Sequence, residues 1–333
     1  MTNPAIVSAQ SSSTLLRLYE TSPRAQGVEI CISRMHGRAV APNHHGKAAS
    51  RRSAEWALLH GLVDSEASWL KLRAIRCGSC AAHTYPEASA EVTEIGAKLI
   101  TWLFLFDDAY GEGTGALDAR ELMETFASYE TLLRTGRLPN DPTPFHHALA
   151  DLRKDCAVRA TPEWLERFAT SMSRYFGGCL LEFPLRRSDE VPSVAQYRRL
   201  RGWAIGIQPV LNLVELANDE ILSPKEASRE DLVAMRELTA LLCAWVNDVY
   251  SYGKEKRDGD PLNLVSVLAH EHGLTEPEAY EHAADLFNAD LRAFEELRAE
   301  FERDAPPHLQ RYVQGLSNWI HGNFAWTGQS LRY

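Results

Sequence analysis

The chain has 333 residues, with 45 acidic against 35 basic side chains and a formal net charge of −10. That length suits one large core or two ordinary ones, and a hydrophobic fraction of 45% belongs to a globular protein rather than a disordered one. The acidic balance argues against nonspecific nucleic-acid binding, which needs basic surface to displace counterions.

The first stretch, Met1 to Arg24, lacks a basic start followed by an apolar core, so no secretory signal is expected. Every apolar run is interrupted by charge before it reaches transmembrane length. The expectation is a soluble, cytoplasmic protein without stable membrane insertion. Residues 1–47 read as an irregular N-terminal segment able to fold over a bound ligand as a lid. The adjacent His44 and His45 read as surface loop, since sequence neighbours rarely chelate one ion together. From Ala48 the texture becomes helical, and residues 48–333 read as one all-α domain. The expected helices are 50–63, 65–76, 89–111, 117–135, 144–156, 162–184, 194–218, 224–256, 261–272, 276–303 and 307–327. Ser193 with Gln196, Ser223 with Glu226 and Thr275 with Glu278 have capping-box spacing. Thr161-Pro162 and Ser223-Pro224 put proline at the first helical position, where its missing N–H costs nothing. No hairpin with a primed-turn dipeptide is visible.

Cys77-Gly-Ser-Cys80 has suggestive spacing, but no second CxxC or CxxH pair completes a zinc site. The six cysteines are expected to be reduced structural thiols. Next, Ile100 to Glu112 reads ITWLFLFDDAYGE, an aromatic run that ends abruptly in acids. Asp108 and Glu112 are four apart and share a helix face, with Asp107 beside them. Like charges at the C-terminus of a buried helix oppose the dipole and raise each other's pKa values, so this cluster calls for cations. Farther on, Gly177-Gly178 interrupts an apolar segment, and Gly202 to Gly206 with Pro209 interrupts another. Each could serve close helix packing or a break that turns backbone carbonyls toward a cavity.

Leu241 to Lys256 reads LLCAWVNDVYSYGKEK. Asn247, Ser251 and Glu255 recur every four residues and stack along one helix face with a drift of about 40° per step. An amide, a hydroxyl and a carboxylate make a poor salt-bridge ladder but a reasonable all-oxygen chelate for a hard divalent cation such as Mg²⁺. Asp248 points about 100° away and falls outside that set. Two oxygen-ligand clusters would need cationic groups for a phosphate. Arg201, Lys254, and Arg332 with Tyr333 at the last two positions are the candidates. The aromatics Trp319, Phe324 and Trp326 suggest that the C-terminal segment is docked rather than frayed.

In these residues the chain resembles a bacterial-type class I terpene synthase, and in length and overall pattern it most resembles the sesquiterpene kind. Asp107-Asp108-Ala-Tyr-Gly-Glu112 matches the aspartate-rich motif in a DDxxxE form. Asn247-Asp-Val-Tyr-Ser251-Tyr-Gly-Lys254-Glu255 matches the NDxxSxxxE triad. Arg201 fits the diphosphate-sensing arginine and Arg332-Tyr333 the C-terminal RY pair. The resemblance implies an α-helical bundle around one active-site cavity that holds three Mg²⁺. Asp107 with Glu112, and with Asp108 as a further candidate, would hold metal on one wall; Asn247, Ser251 and Glu255 would hold it on the other. Arg201, Lys254, Arg332 and Tyr333 would bind diphosphate, with Asp107, Arg201, Arg332 and Tyr333 serving the ionisation step. Phe104, Trp319 and Trp326 would stabilise the carbocation through their ring faces, with Trp203 and Trp245 behind them. The segment around Ala204 to Gly206 resembles the family's helix-break effector.

The implied reaction is ionisation and cyclisation of an acyclic prenyl diphosphate. Farnesyl diphosphate is favoured, and geranyl and geranylgeranyl diphosphates stay open, as does a homodimer. A chain-elongating prenyl synthase would carry a second aspartate-rich motif in place of Asn247/Ser251/Glu255. A protonation-initiated cyclase would carry a DxDD motif. A non-catalytic helical scaffold would leave the acidic clusters without a purpose.

Overall fold

A computed structural model describes residues 31–330 except 33, 39, 112–117 and 189. Its described residues contain helices and turns but no strand. The chain order is α1 Gly46–Leu59, α2 Glu66–Ile75, α3 Cys77–Thr84, α4 Ala90–Phe106, α5 Ala119–Thr135, α6 Pro144–Ala157, α7 Pro162–Leu185, α8 Val194–Ala204, α9 Ile207–Ala217, α10 Pro224–Ala227, α11 Glu230–Asp258, α12 Leu264–His272, α13 Glu276–Asp304 and α14 Pro307–Thr327. The helices form a bundle in which α3, α4, α7, α9, α11 and α14 surround a central cavity.

Helix starts follow the local chemistry expected of them. At Ser193 the hydroxyl accepts from the Gln196 amide while the Gln196 side chain accepts from the Ser193 amide. Ser223 and Glu226 repeat the exchange, and Thr161 caps Trp164 ahead of Pro162. Each pair satisfies backbone donors that the helix cannot.

Four expected elements come out differently. The segment 65–76 ends at Ile75, because Arg76 takes a left-handed φ of 57°, and a new helix α3 starts at Cys77. The CxxC spacing therefore belongs to a short buried helix. The six cysteines are all buried and no disulfide joins them. The helix expected over 194–218 is two, because Gly206 takes φ 72° and starts α9. The helix expected over 224–256 is likewise a short turn followed by α11. Finally, the helix expected over 89–111 stops at Phe106 and continues as a π-helical turn, Asp107–Gly111.

The two glycine pairs have different physical reasons. Gly177-Gly178 lies within the continuous helix α7, and a Cβ on Gly178 would sit 2.6 Å from the Ala204 amide nitrogen. Close packing of α7 on the end of α8 explains Gly178, whereas a Cβ on Gly177 would meet nothing within 4 Å. Gly206 instead supplies a backbone conformation that L side chains rarely adopt.

Before α1, part of the 34–38 segment is strapped across α13 and α14. Asn288 accepts from the His36 amide and donates to the Arg34 carbonyl, and Arg38 contacts both edges of the His321 ring. The rest of the expected lid, residues 1–30, lies outside the described residues.

Candidate active site

The central cavity measures about 300 Å³. One wall comes from α11, where Asn247, Ser251, Lys254 and Glu255 all face inward as their spacing requires. Across from it lies Asp107, in the π-helical turn at the end of α4. Such turns shift side chains off the α-helical register, and here the two adjacent acids part company. Asp107 lines the cavity, whereas Asp108 is not among the lining residues and its carboxylate pairs with Lys71 of α2 at 2.9 Å. Glu112, Arg332 and Tyr333 lie outside the described residues.

Arg201 enters from the end of α8 and is almost wholly buried. Its guanidinium donates to Asn247 Oδ1 at 2.7 Å and, through Nε, to Asp248 Oδ1 at 3.0 Å. Asp248 itself is fully buried, and its second oxygen accepts from the Tyr197 hydroxyl at 2.7 Å and the Leu264 amide at 3.0 Å. Burial pushes the Asp248 carboxyl up, against opposing pulls from Arg201, Tyr197 and the Leu264 amide. Asp248 thus orients the arginine from behind while Asn247 ties it to the proposed metal wall. Sequence reasoning set Asp248 aside because it faces away from Ser251 and Glu255. That same direction is what aims it at Arg201.

A second arginine escaped notice. Arg186, just past α7, lines the cavity and pairs with Glu182 at 2.9 Å and with Asp260 of the α11–α12 loop. Glu182 is shared, since its other oxygen stands 3.8 Å from Arg201. A charged residue at the end of an apolar helix was the available signal. Asn263 completes the loop's anchorage by donating to Glu255 and to the Asp248 carbonyl, both at 2.7 Å.

The apolar part of the lining comes from Ile100, Leu103 and Phe104 of α4, Ile207 and Val210 of α9, and Trp319 and Trp326 of α14, while Lys71, Arg187, Asp258, Asp260 and Asn323 add further polar groups. Phe104 and Trp326 pack together with ring centroids 5.8 Å apart. Cys80 and Cys243 also line it, and burial raises both thiols so that they stay protonated. The Ala204–Ile207 break borders the cavity, so the C-terminal, negative end of α8 is presented there. Two aromatic candidates fall elsewhere. Trp245 is buried on the far face of α11, where its indole N–H donates to Asp290 at 2.8 Å. Trp203 is 46% exposed on the outer surface. Each lies two positions from a lining residue, Asn247 or Arg201, and two residues carry a helix through about 200°.

Whether this donor set suits a metal can be judged from its chemistry. Among the described residues no group of three or more His, Cys, Asp or Glu stands together as a chelate. What faces the cavity is the Asn247 amide, the Ser251 hydroxyl and the Glu255 carboxylate on one helix and the Asp107 carboxylate on another, together with Asp258 and Asp260, which pair with Lys254 and Arg186. The Glu255 carboxyl is pushed up, first by burial and then by the nearby Asp248 charge, so positive charge beside it is favourable. Sparse hard oxygens suit an ion that keeps waters and shares its ligation with phosphate oxygens. The set fits a divalent cation bound jointly with a diphosphate.

Comparisons with known proteins agree with this geometry. Residues 98–293 match the family model described as terpene synthase family 2, C-terminal metal binding. A (+)-T-muurolol synthase of Roseiflexus castenholzii is 34% identical over 306 residues, covering 89% of this chain and 90% of its own. A germacrene A synthase of Nostoc punctiforme is 29% identical, covering 84% and 88%. Among solved structures, a linalool/nerolidol synthase from Streptomyces clavuligerus superposes with a TM-score of 0.78 at 23% identity, covering 88% of this chain and 99% of that one.

Proposed function

The chain belongs to the bacterial class I terpene synthases, and from that premise we propose that it converts farnesyl diphosphate, with Mg²⁺, to a sesquiterpene and inorganic diphosphate. The observation that carries this reading is the two-part character of one cavity. Its lining combines a charged and polar set that includes Asp107, Arg186, Arg201, Asn247, Lys254 and Glu255 with apolar and aromatic side chains of α4, α9 and α14. An amphiphile with a polyanionic head and a branched hydrocarbon tail matches both parts.

Divalent cations held by Asp107 and Glu112 on one side and by Asn247, Ser251 and Glu255 on the other would neutralise the leaving diphosphate. Three Mg²⁺ is the number that the family resemblance implies. Arg201 and Lys254, with Arg332 and Tyr333 of the C-terminus, bind the diphosphate oxygens. Arg201 reaches them preorganised, because Asp248 and Asn247 already hold its guanidinium. Such fixed donors act where negative charge develops as the C–O bond breaks. The allylic cation left behind lies among Phe104, Trp319 and Trp326, whose ring faces stabilise positive charge without reacting with it. The negative end of α8 at Ala204–Ile205 adds a fixed dipole of the same sense. Packed apolar walls exclude bulk water and fold the chain for ring closure.

The test is incubation with geranyl, farnesyl and geranylgeranyl diphosphates and Mg²⁺, with diphosphate release and mass spectrometry of the extract as readouts. Farnesyl diphosphate should give C15 products, and a chelator should abolish the reaction until Mg²⁺ is restored. Absence of a terpene from all three substrates would sink the proposal.

A further inference from the structure

The cavity has a floor, and the helices that wall it show where. On α4 the lining runs from Asp107 through Phe104 and Leu103 to Ile100, which lies about 10 Å below Asp107 at 1.5 Å per residue. On α11 the inward-facing series that descends from Glu255 ends at Cys243, and on α14 the series that descends from Trp326 ends at Trp319. Ile100, Cys243 and Trp319, with Val210 of α9, form the deepest layer of the lining.

Below that layer the same helix faces carry glycine. One turn beyond Ile100, Gly96 would continue the wall of α4, but the ring of Tyr85 covers it so closely that a Cβ there would sit 2.8 Å from the Tyr85 Cε2. One turn beyond Trp319, Gly315 is covered in the same way, since a Cβ there would overlap Val214 of α9. Tyr85, the residue that ends α3, is buried and does not itself line the cavity. It is held on every side that matters. Its hydroxyl donates to the carbonyl of Val210, a floor residue, at 2.7 Å. Its ring meets the Trp319 indole edge to face, with centroids 5.4 Å apart and planes at 77°. Trp319 therefore has Tyr85 behind it and the cavity in front.

We propose that Tyr85 is a positioning residue that fixes the depth of the cavity, and with it the length of prenyl chain accepted, by backing Trp319 and filling the space below the floor. A phenol, with six ring carbons and an oxygen, has at least the bulk of one five-carbon isoprene unit. A core packed to crystal density gives no such room by compression, so a chain longer by one unit must push side chains off their rotamers and shift backbone. Removing the phenol leaves a space that the surroundings close only in part. That space adjoins Trp319, whose indole can turn into it and let the cavity extend along α4 toward Gly96.

The depth reading rests on the function proposed above, and diphosphate release by the parent protein separates the two. Equimolar farnesyl and geranylgeranyl diphosphates with Mg²⁺, followed by mass spectrometry of C15 and C20 products, read the selection directly. The parent should favour C15 at least tenfold. Tyr85→Ala should move the ratio at least tenfold toward C20, chiefly through a lower KM for the geranylgeranyl chain. Tyr85→Phe keeps the ring and should stay within threefold of the parent ratio. Tyr85→Leu, a milder loss of the ring, is read in the same way if the alanine variant does not fold. A parent that converts both chains equally well would overturn the proposal and leave the enzyme reading intact. So would a folded ring-less variant that loses both activities in the same proportion, because that is the mark of a purely structural residue. No diphosphate release from any prenyl substrate by the parent would overturn both.

Discussion

Removing the carboxylate behind Arg201 should do more damage than removing Arg201 and the carboxylate together. In Asp248→Leu the guanidinium stays buried, with Glu182 Oε1 at 3.8 Å as its nearest remaining carboxylate. The Tyr197 hydroxyl and the Leu264 amide lose their shared acceptor. Stripping one member from a buried ion pair costs about 3–5 kcal/mol, and the upper half of that range applies because the Arg201 guanidinium and the Leu264 amide are stranded together, Tyr197 alone keeping an acceptor in the Leu262 carbonyl at 3.1 Å. Arg201→Leu should cost less, about 2–3 kcal/mol. Asp248 keeps Tyr197 and the Leu264 amide, and its carboxyl is already pushed up by burial and can take a proton. The double variant leaves neither charge and should cost about 1–2 kcal/mol. The interaction energy across the cycle is then at least about 4 kcal/mol, well beyond the additivity of independent sites. Urea denaturation at pH 7 followed by far-UV circular dichroism measures all four corners. Single-variant costs that simply add in the double variant would refute the claim that Asp248 supports Arg201. Tyr197→Phe removes one bond of the set and should cost about 1 kcal/mol.

Other consequences follow from single contacts. Asn247→Ala removes both a proposed metal ligand and the oxygen bonded to Arg201, so diphosphate release should fall at least about a hundredfold. Its melting temperature should stay within a few degrees; an unchanged rate would remove Asn247 from the site. Gly178→Ala places a Cβ 2.6 Å from the Ala204 amide nitrogen, where backbone must move. It should destabilise by about 1–3 kcal/mol in the same urea assay, and an unaffected midpoint would contradict that close approach. His321 is buried between Arg38, Arg298 and Glu295, and burial with the two guanidinium charges lowers its pKa from 6.5 to about 4. Between those values the unfolded chain binds a proton that the folded protein refuses. Stability is therefore present above pH 6.5 and falls as the pH drops toward 4, by at most about 3.5 kcal/mol at 1.4 kcal/mol per unit. His321→Asn should flatten that part of the stability curve, and an unchanged pH dependence would exclude His321 as its source.

What the sequence disclosed and what it hid divide along a physical line. Periodicity within one helix was legible, since Asn247, Ser251 and Glu255 share a face by geometry alone and do face the cavity together. So was α14, which runs over the expected residues and turns Trp319 and Trp326 inward as the aromatic run suggested. What stayed hidden depends on partners distant in the chain. Asp248 looked idle because its role is set by Arg201, 47 positions away, and Arg186 because its ion pairs join α7 to the α11–α12 loop. The π-helical turn that separates Asp107 from Asp108 was equally unreadable, since a two-residue acidic motif carries no mark of its register.

The glycines sharpen the point. Gly178 and Gly206 looked alike in sequence, as interruptions of apolar helices. One permits helices to touch and the other requires a left-handed backbone. Gly178 of α7 packs against Ala204 at the end of α8, two residues before Gly206. That contact fixes where α8 ends, and Arg201 lies in its last turn. The closeness of α7 to α8 and the break between α8 and α9 therefore act on the same few ångströms of chain. Together they set the guanidinium and the negative end of α8 at the cavity edge, where a leaving anion and a new cation must be held apart.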